Sequence, residues 1–281
     1  MPTLTIAHSP DADDAFMFYG LAGGHIDTGE LAYTHTLVDI QTLNELAFEE
    51  RYDITALSFH AYAHLADRYA LLPCGASFGD DYGPKLVARG ALSQEALASL
   101  TVAIPGPLTT AALVLQLYCP GIVTVAYPFD EIIPALERGD VQAGVIIHEG
   151  QLTYADSGLV QHVDLGVWWK GETGLPLPLG GNGIRKCLPE EIQRRSANYL
   201  RQSIDYALSH RHAALAYALS FGRGLDPAKG DTFVGMYVNE VTQDYGETGR
   251  TAVRLLLDRA YAAGLIPAPI VPTFVEWWAQ P

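Results

Sequence analysis

An alternation constrains this chain more than any other feature. Through roughly the first half, short apolar runs of strand character are each followed by a run with helical spacing of apolar residues. LTIAHS precedes a helix from about Asp13, YTHTLVDI precedes TLNELAFEE, DITALS precedes FHAYAHLADRY, and LTVAIPG precedes LTTAALVLQLY. EIIPALERG reads as a helix closed by Gly139, and VQAGVIIH as a strand apolar enough to be buried on both faces. Such a pattern belongs to parallel βαβ units, not to a sandwich or a bundle. The fold class it predicts is α/β, of the doubly wound kind.

From Pro189 the pattern changes to consecutive helices: PEEIQRRSANYLRQSIDYALS, RHAALAYALSFG, DTFVGMYVNEVT and GRTAVRLLLDRAYAAG, followed by a tail with Pro and Trp. Two extended stretches rich in Gly and Pro, GPKLVARG and GLPLPLGGNGIRK, flank the middle third and suit crossings between lobes. Together these predict two lobes: a larger one from residues 1–87 plus 181–281, and a smaller one from 88–180 with a cleft between them.

Composition removes several classes of function. With 17 Lys+Arg against 32 Asp+Glu, the net charge of −15 repels nucleic acid and anionic membrane surfaces. Cys74, Cys119 and Cys187 are odd in number and lack C-x-x-C spacing, so they suggest neither a disulfide framework nor a thiolate metal site. The apolar runs are too short and too interrupted to span a membrane, and the opening MPTLTIAHSPDADD has no export signal pattern. A cytoplasmic protein is expected, with a small molecule as its partner.

In open parallel sheets, ligands bind beyond the carboxyl ends of the strands. Five predicted strand ends carry polar residues: Asp11 to Asp14 after the first, Asp39 and Asn44 after the second, Ser58 at the third, Thr109 and Thr110 after VAIPG, and His148 after VQAGVII. The DADD cluster is an ordinary helix start, with Ser9 or Asp11 as cap, or part of a site; adjacent aspartates cannot encircle a metal ion alone. IPGPLTTA is either a Thr cap or an anion cradle, and it lacks the Lys of a Walker loop. His60 and His64 have i, i+4 spacing but no third ligand, which assigns them to a helix surface. His148 has little packing role at a strand mouth, and Glu149 either orients it or faces solvent. No metal and no cofactor are expected.

In this order, SPDADDAFMFYGL, TLNELA, ALSFHAYAHL, IPGPLTTAALVL, AGVIIHEGQLTY, VDLGVWW and GLPLPLGGNGI resemble the 1,4-dihydroxy-6-naphthoate synthase family of the futalosine route to menaquinone, over nearly the whole chain. The resemblance implies a type II periplasmic-binding-protein fold. It implies conversion of cyclic dehypoxanthinylfutalosine to 1,4-dihydroxy-6-naphthoate with release of dihydroxyacetone. By the same resemblance His148 is the catalytic base, and Ala56, Leu57, Ser58, Thr110 and Ala111 contact substrate. Of the opening acids only Asp14 maps onto the family pattern. On this reading Ser58 and Thr110 hold the naphthoate carboxylate with helix N–H groups, while Asp14, Asp39 and Asn44 are candidates for the sugar hydroxyls. Activity is then expected to rise with pH through the ordinary imidazole range. A solute-binding protein of the same fold and the sister chorismate dehydratase are the alternatives.

Overall fold

The computed structural model describes residues 3–221 and 226–277; the end of the Trp-containing tail lies outside them. Strands β1 (Thr3–His8), β2 (Ala32–Leu37), β3 (Ile54–Ser58), β4 (Tyr69–Leu71) and β5 (Ser77–Gly79) belong to a first sheet. Strands β6 (Lys85–Ala88), β7 (Thr101–Ile104), β8 (Val123–Ala126), β9 (Ala143–Ile146) and β10 (Val160–Asp164) build a second, and β11 (Leu177–Arg185) returns to the first. The first sheet has the order β2-β1-β3-β11-β4, with β5 also paired to β11; the second has the order β10-β6-β9-β7-β8.

The expected parallel units are present: β1 pairs parallel with β2 and β3, and β7 with β8 and β9. Neither sheet is wholly parallel, however. The strands entered by the two crossings, β6 and β11, run antiparallel to their neighbours. These are the Gly- and Pro-rich stretches singled out in the sequence. A division at 87/88 and 180/181 falls inside β6 and β11. We draw the lobe boundaries just before each of these strands, since each is hydrogen-bonded to a single sheet along its length.

β3 and β9 are buried at every position, as their unbroken apolar runs require. Helices Glu190–Ser209, Arg211–Leu219 and Pro227–Tyr237 cover the first lobe, where Ala197, Leu200, Ile204, Ala214 and Phe233 pack with Phe16, Met17 and Phe18. Helix Gly246–Ala262 instead packs on β11, helix Phe59–Leu65 and helix Thr110–Tyr118, so one apolar cluster runs through both lobes. Fully buried Trp169 donates its indole N–H to Pro176 O at 3.2 Å, which pins the return crossing. Removing such a ring costs about 3–5 kcal/mol.

Candidate active site

The strand ends converge on a cavity of about 730 Å³, part of it open to solvent, between the two lobes. Its size suits a small organic molecule. Asp14, Ala56, Leu57, Ser58, Thr109, Thr110, Ala111 and His148 all line it. Asp39 and Asn44 do not, which corrects their expected place at the sugar hydroxyls. Asp39 is consumed as the cap of helix Ile40–Phe48, accepting from Thr42 N at 3.1 Å and Thr42 Oγ1 at 2.6 Å. Asn44 is fully buried behind Ser58: its Oδ1 accepts from Ser58 N at 2.9 Å and its Nδ2 donates to Ser58 Oγ at 3.0 Å. It therefore positions Ser58 and leaves that hydroxyl's proton available to the cavity.

Around Ser58 the site offers donors without cations. β3 places Ser58 opposite Gly180 of β11, and helix Phe59–Leu65 starts at the next residue. Across the cavity, Gly106 turns the chain from β7 into helix Thr110–Tyr118 at φ +148°, and a Cβ there would meet Gln41 Oε1 at 2.1 Å. Gln41 uses that oxygen to accept from Leu108 N at 3.1 Å, so the glycine lets one lobe hold the turn of the other. Thr109 Oγ1 accepts from Ala112 N at 3.2 Å and donates to Gly106 O at 2.7 Å. Thr110 Oγ1 donates to Leu179 O at 2.5 Å, which ties its helix to β11. Both threonine protons are thus committed, and the donors that face an anion here are Ser58 Oγ and the first N–H groups of helix Thr110–Tyr118.

The opposite end is acidic. Asp11, Asp13 and Asp14 open helix Ala12–Ala22, as the sequence suggested, but none of their side chains serves as its cap. Asp14 Oδ2 accepts from Ser9 N at 3.0 Å, and Asp13 Oδ2 from Ser77 Oγ at 2.9 Å. Burial, the charge of Asp11 and that of Glu149 push the Asp13 carboxyl up to about 6, against the opposing pull of His148 and Ser77. Burial and the neighbouring Asp13 carry Asp14 well above the usual carboxylate range. Asp11 Oδ2 accepts from Ser9 Oγ and meets His148 Nδ1 at 3.0 Å.

His148 lies two residues beyond β9 with φ +55°, in the left-handed region that only a minority of non-glycine residues occupy. Phe129 packs edge-on to its ring at 4.7 Å between centroids. Burial alone would lower the imidazole pKa. The charge and hydrogen bond of Asp11, reinforced by Glu149 and Asp13, overcome burial and carry it up to about 9. This corrects the expected titration: the imidazole of this pair holds its proton through the ordinary imidazole range. His148 Nε2 is buried without a hydrogen-bond partner, so with Nδ1 on Asp11 it is the nitrogen left for chemistry.

Sequence reasoning left Asp11 unassigned and missed Ser77, Gln151, Asn182 and Tyr237, which also line the cavity. Gln151 accepts from Tyr237 OH at 2.9 Å across the lobes, and Asn182 donates from Nδ2 to Gly75 O at 2.7 Å. The SPDADD motif marked Asp11 as polar beside a strand end, whereas nothing local in the sequence signals the other four.

A family model described as menaquinone biosynthesis matches residues 4–262. Two relatives are named 1,4-dihydroxy-6-naphthoate synthase. The one from Thermus thermophilus is 42% identical over 98% of this chain and 100% of its own, and the one from Streptomyces coelicolor is 39% identical over 95% of each. A crystal structure of an Archaeoglobus fulgidus protein superposes with a TM-score of 0.90 at 45% identity, covering 94% of this chain and 98% of that one. A Candida albicans protein described as having the generic periplasmic binding protein fold superposes at 0.70 with 13% identity, over 100% and 99% of the two chains. With its two lobes and interlobe cavity on that periplasmic-binding-protein-like fold, the chain belongs to the menaquinone-biosynthesis family of the 1,4-dihydroxy-6-naphthoate synthases.

Proposed function

We propose that this chain is a carbon–carbon lyase that converts cyclic dehypoxanthinylfutalosine to 1,4-dihydroxy-6-naphthoate and dihydroxyacetone, with His148 as base. The observation that carries the reading is His148 itself: a buried imidazole fixed by Asp11 through Nδ1, its Nε2 unpartnered, in the wall of an interlobe cavity. Cleavage of the spiro-linked sugar needs one proton removed from a hydroxyl or an activated carbon, after which the carbon–carbon bond breaks and the naphthalene ring becomes aromatic. Nε2 of His148 takes that proton in the neutral form, whose share grows as pH rises through about 9, while Asp11 stabilises the imidazolium that results. A positioned base of this kind contributes about 10²–10⁴-fold.

The substrate carboxylate lies against Ser58 Oγ and the start of helix Thr110–Tyr118, with Ala56, Leu57 and Ala111 along its ring. This arrangement lets an acidic protein hold an anion without Arg or Lys. The sugar then faces His148 and Asp14, whose carboxyl, held above the usual range by burial and by Asp13, lies within the cavity to bond a hydroxyl. Incubation of purified protein with cyclic dehypoxanthinylfutalosine, followed by mass spectrometry, tests the assignment. Equimolar naphthoate and dihydroxyacetone are expected. Stoichiometric binding without turnover would instead support a binding protein of the same fold, and turnover of chorismate would support the sister dehydratase.

A further inference from the structure

We propose that Glu149 is a positioning residue that keeps His148 against Asp11, by fixing the His148–Glu149 segment to the first N–H of helix Ala12–Ala22 in the other lobe. This rests on the reading of His148 as base. Asp11 occupies the N-cap position of that helix with the extended backbone of a cap (φ −70°, ψ 156°), and aspartate is among the best capping residues. Its side chain nevertheless caps nothing and bonds Ser9 and His148 instead. Glu149 Oε1 accepts from Ala12 N, the first N–H of the helix, at 3.1 Å.

The two contacts form one reciprocal unit. Consecutive residues of the second lobe, His148 and Glu149, engage consecutive residues of the first, Asp11 and Ala12. The positive φ of His148 sends both side chains toward the same helix start, and the turn is held by Gln151 N on His148 O at 3.1 Å and Leu152 N on Glu149 O at 2.9 Å. Further along the same segment, Gln151 on Tyr237 at 2.9 Å and Asp156 on Lys229 at 2.6 Å fasten it to the first lobe. Glu149 does not line the substrate cavity; it lies behind His148 in a separate hollow with Phe129 and Lys229. It therefore acts through Asp11 and not on substrate. Without its carboxylate the segment loses its hold on the helix start, and the His148–Asp11 contact loosens.

The charged and titratable groups facing His148 are Asp11, Asp13 and Asp14 from the helix start and Glu149 from its own segment. The test is therefore an NMR titration of the His148 imidazole in the full-length, ligand-free protein, assigned by its disappearance in His148→Asn. Wild type should titrate near 9. Glu149→Ala should lower that value by about one unit or more, with kcat falling and KM little changed. Glu149→Gln keeps an oxygen for Ala12 N–H, and should show less than half that shift and recover most of kcat. A wild-type value near 6.5 would overturn the proposal. So would an unmoved titration in Glu149→Ala with only a lower melting temperature, or equal shifts in the two variants, which would assign the effect to charge alone. Turnover of His148→Asn judges the base reading separately, because the titration does not depend on activity.

Discussion

Two helix starts face each other across one cavity, and they use the same kind of residue in opposite ways. Thr109 and Asp11 both hold an extended cap conformation, with φ −75° and −70°. The Thr109 hydroxyl bonds its own helix at Ala112 N and its own turn at Gly106 O, so both of its bonds lie within a few residues. Asp11 leaves its helix uncapped and reaches to His148, far away in sequence and on the other lobe. The first start has its cap in place, although Gln41 of the other lobe steadies its turn, and on the proposed reading its backbone N–H groups meet the anion. The second is completed only by the opposite lobe, and that is where the unpartnered Nε2 of His148, the proposed base, sits. On the proposed reading, binding rests on Ser58 and the backbone N–H groups of the first start, whereas the chemistry rests on His148 and Asp11, a pair that only the assembled cleft brings together.

The largest effect should come from the assembled side. His148→Asn should remain folded and bind a naphthoate, yet lose turnover by about 10²-fold or more, because an amide cannot take the proton. Near-normal turnover would remove His148 as base and leave the two helix starts without the contrast drawn here. Asp11→Asn should follow, with the plateau of turnover down by about 10-fold and the rising limb of the pH–rate profile moved from about 9 down toward the ordinary imidazole range. Stability gives a second reading of the same pair. A histidine whose folded pKa is raised contributes stability that is fully present below its unfolded value near 6.5 and is lost as pH rises through about 9. That contribution is on the order of 3 kcal/mol, and denaturant titrations at pH 6 and pH 10 should show a larger loss in wild type than in Asp11→Asn, which keeps only the smaller contributions of Glu149 and Asp13.

The same contrast explains what the sequence revealed. Thr109 as a cap, the crossings at GPKLVARG and GLPLPLGGNGIRK, and the buried runs of β3 and β9 are all set by residues near one another in the chain. A reading of local pattern reaches them. Asn44 looked like a substrate ligand because it follows a strand end; its amide turns inward only because Ser58, on a different strand, supplies both bonding partners. Asp11 looked like a cap because it stands where caps stand. Its diversion depends on His148 and Glu149, whose proximity no local pattern encodes. The antiparallel direction of β6 and β11 was hidden for a related reason: an apolar run does not reveal which way its neighbours point.

On the locally finished side, effects should be smaller and fall on binding. Ser58→Ala removes the one side-chain hydroxyl of the cradle whose proton is uncommitted, and leaves the Asn44 amide short of a partner. KM should rise by about 10-fold with kcat largely kept, in line with the loss of a hydrogen bond to a charged group. An effect on kcat alone would move Ser58 out of the carboxylate cradle and toward the reacting atoms.

The smallest effect belongs to Thr109→Val, and it tests whether the first helix start is as self-contained as its hydrogen bonds indicate. Thr109 is buried, and its hydroxyl both accepts from Ala112 N and donates to Gly106 O, so no proton remains for a ligand even though the residue lines the cavity. Valine keeps the shape and removes both bonds, which should cost about 1 kcal/mol, the usual value of a lost cap. In a chain of this length that is a fall of roughly 2–4 °C in melting temperature. KM should change less than in Ser58→Ala, because the anion meets backbone N–H groups that the substitution leaves in place. A loss of affinity equal to that of Ser58→Ala, with no loss of stability, would mean that Thr109 turns its hydroxyl to the ligand. The two helix starts would then be alike after all, each with its cap diverted into the cleft.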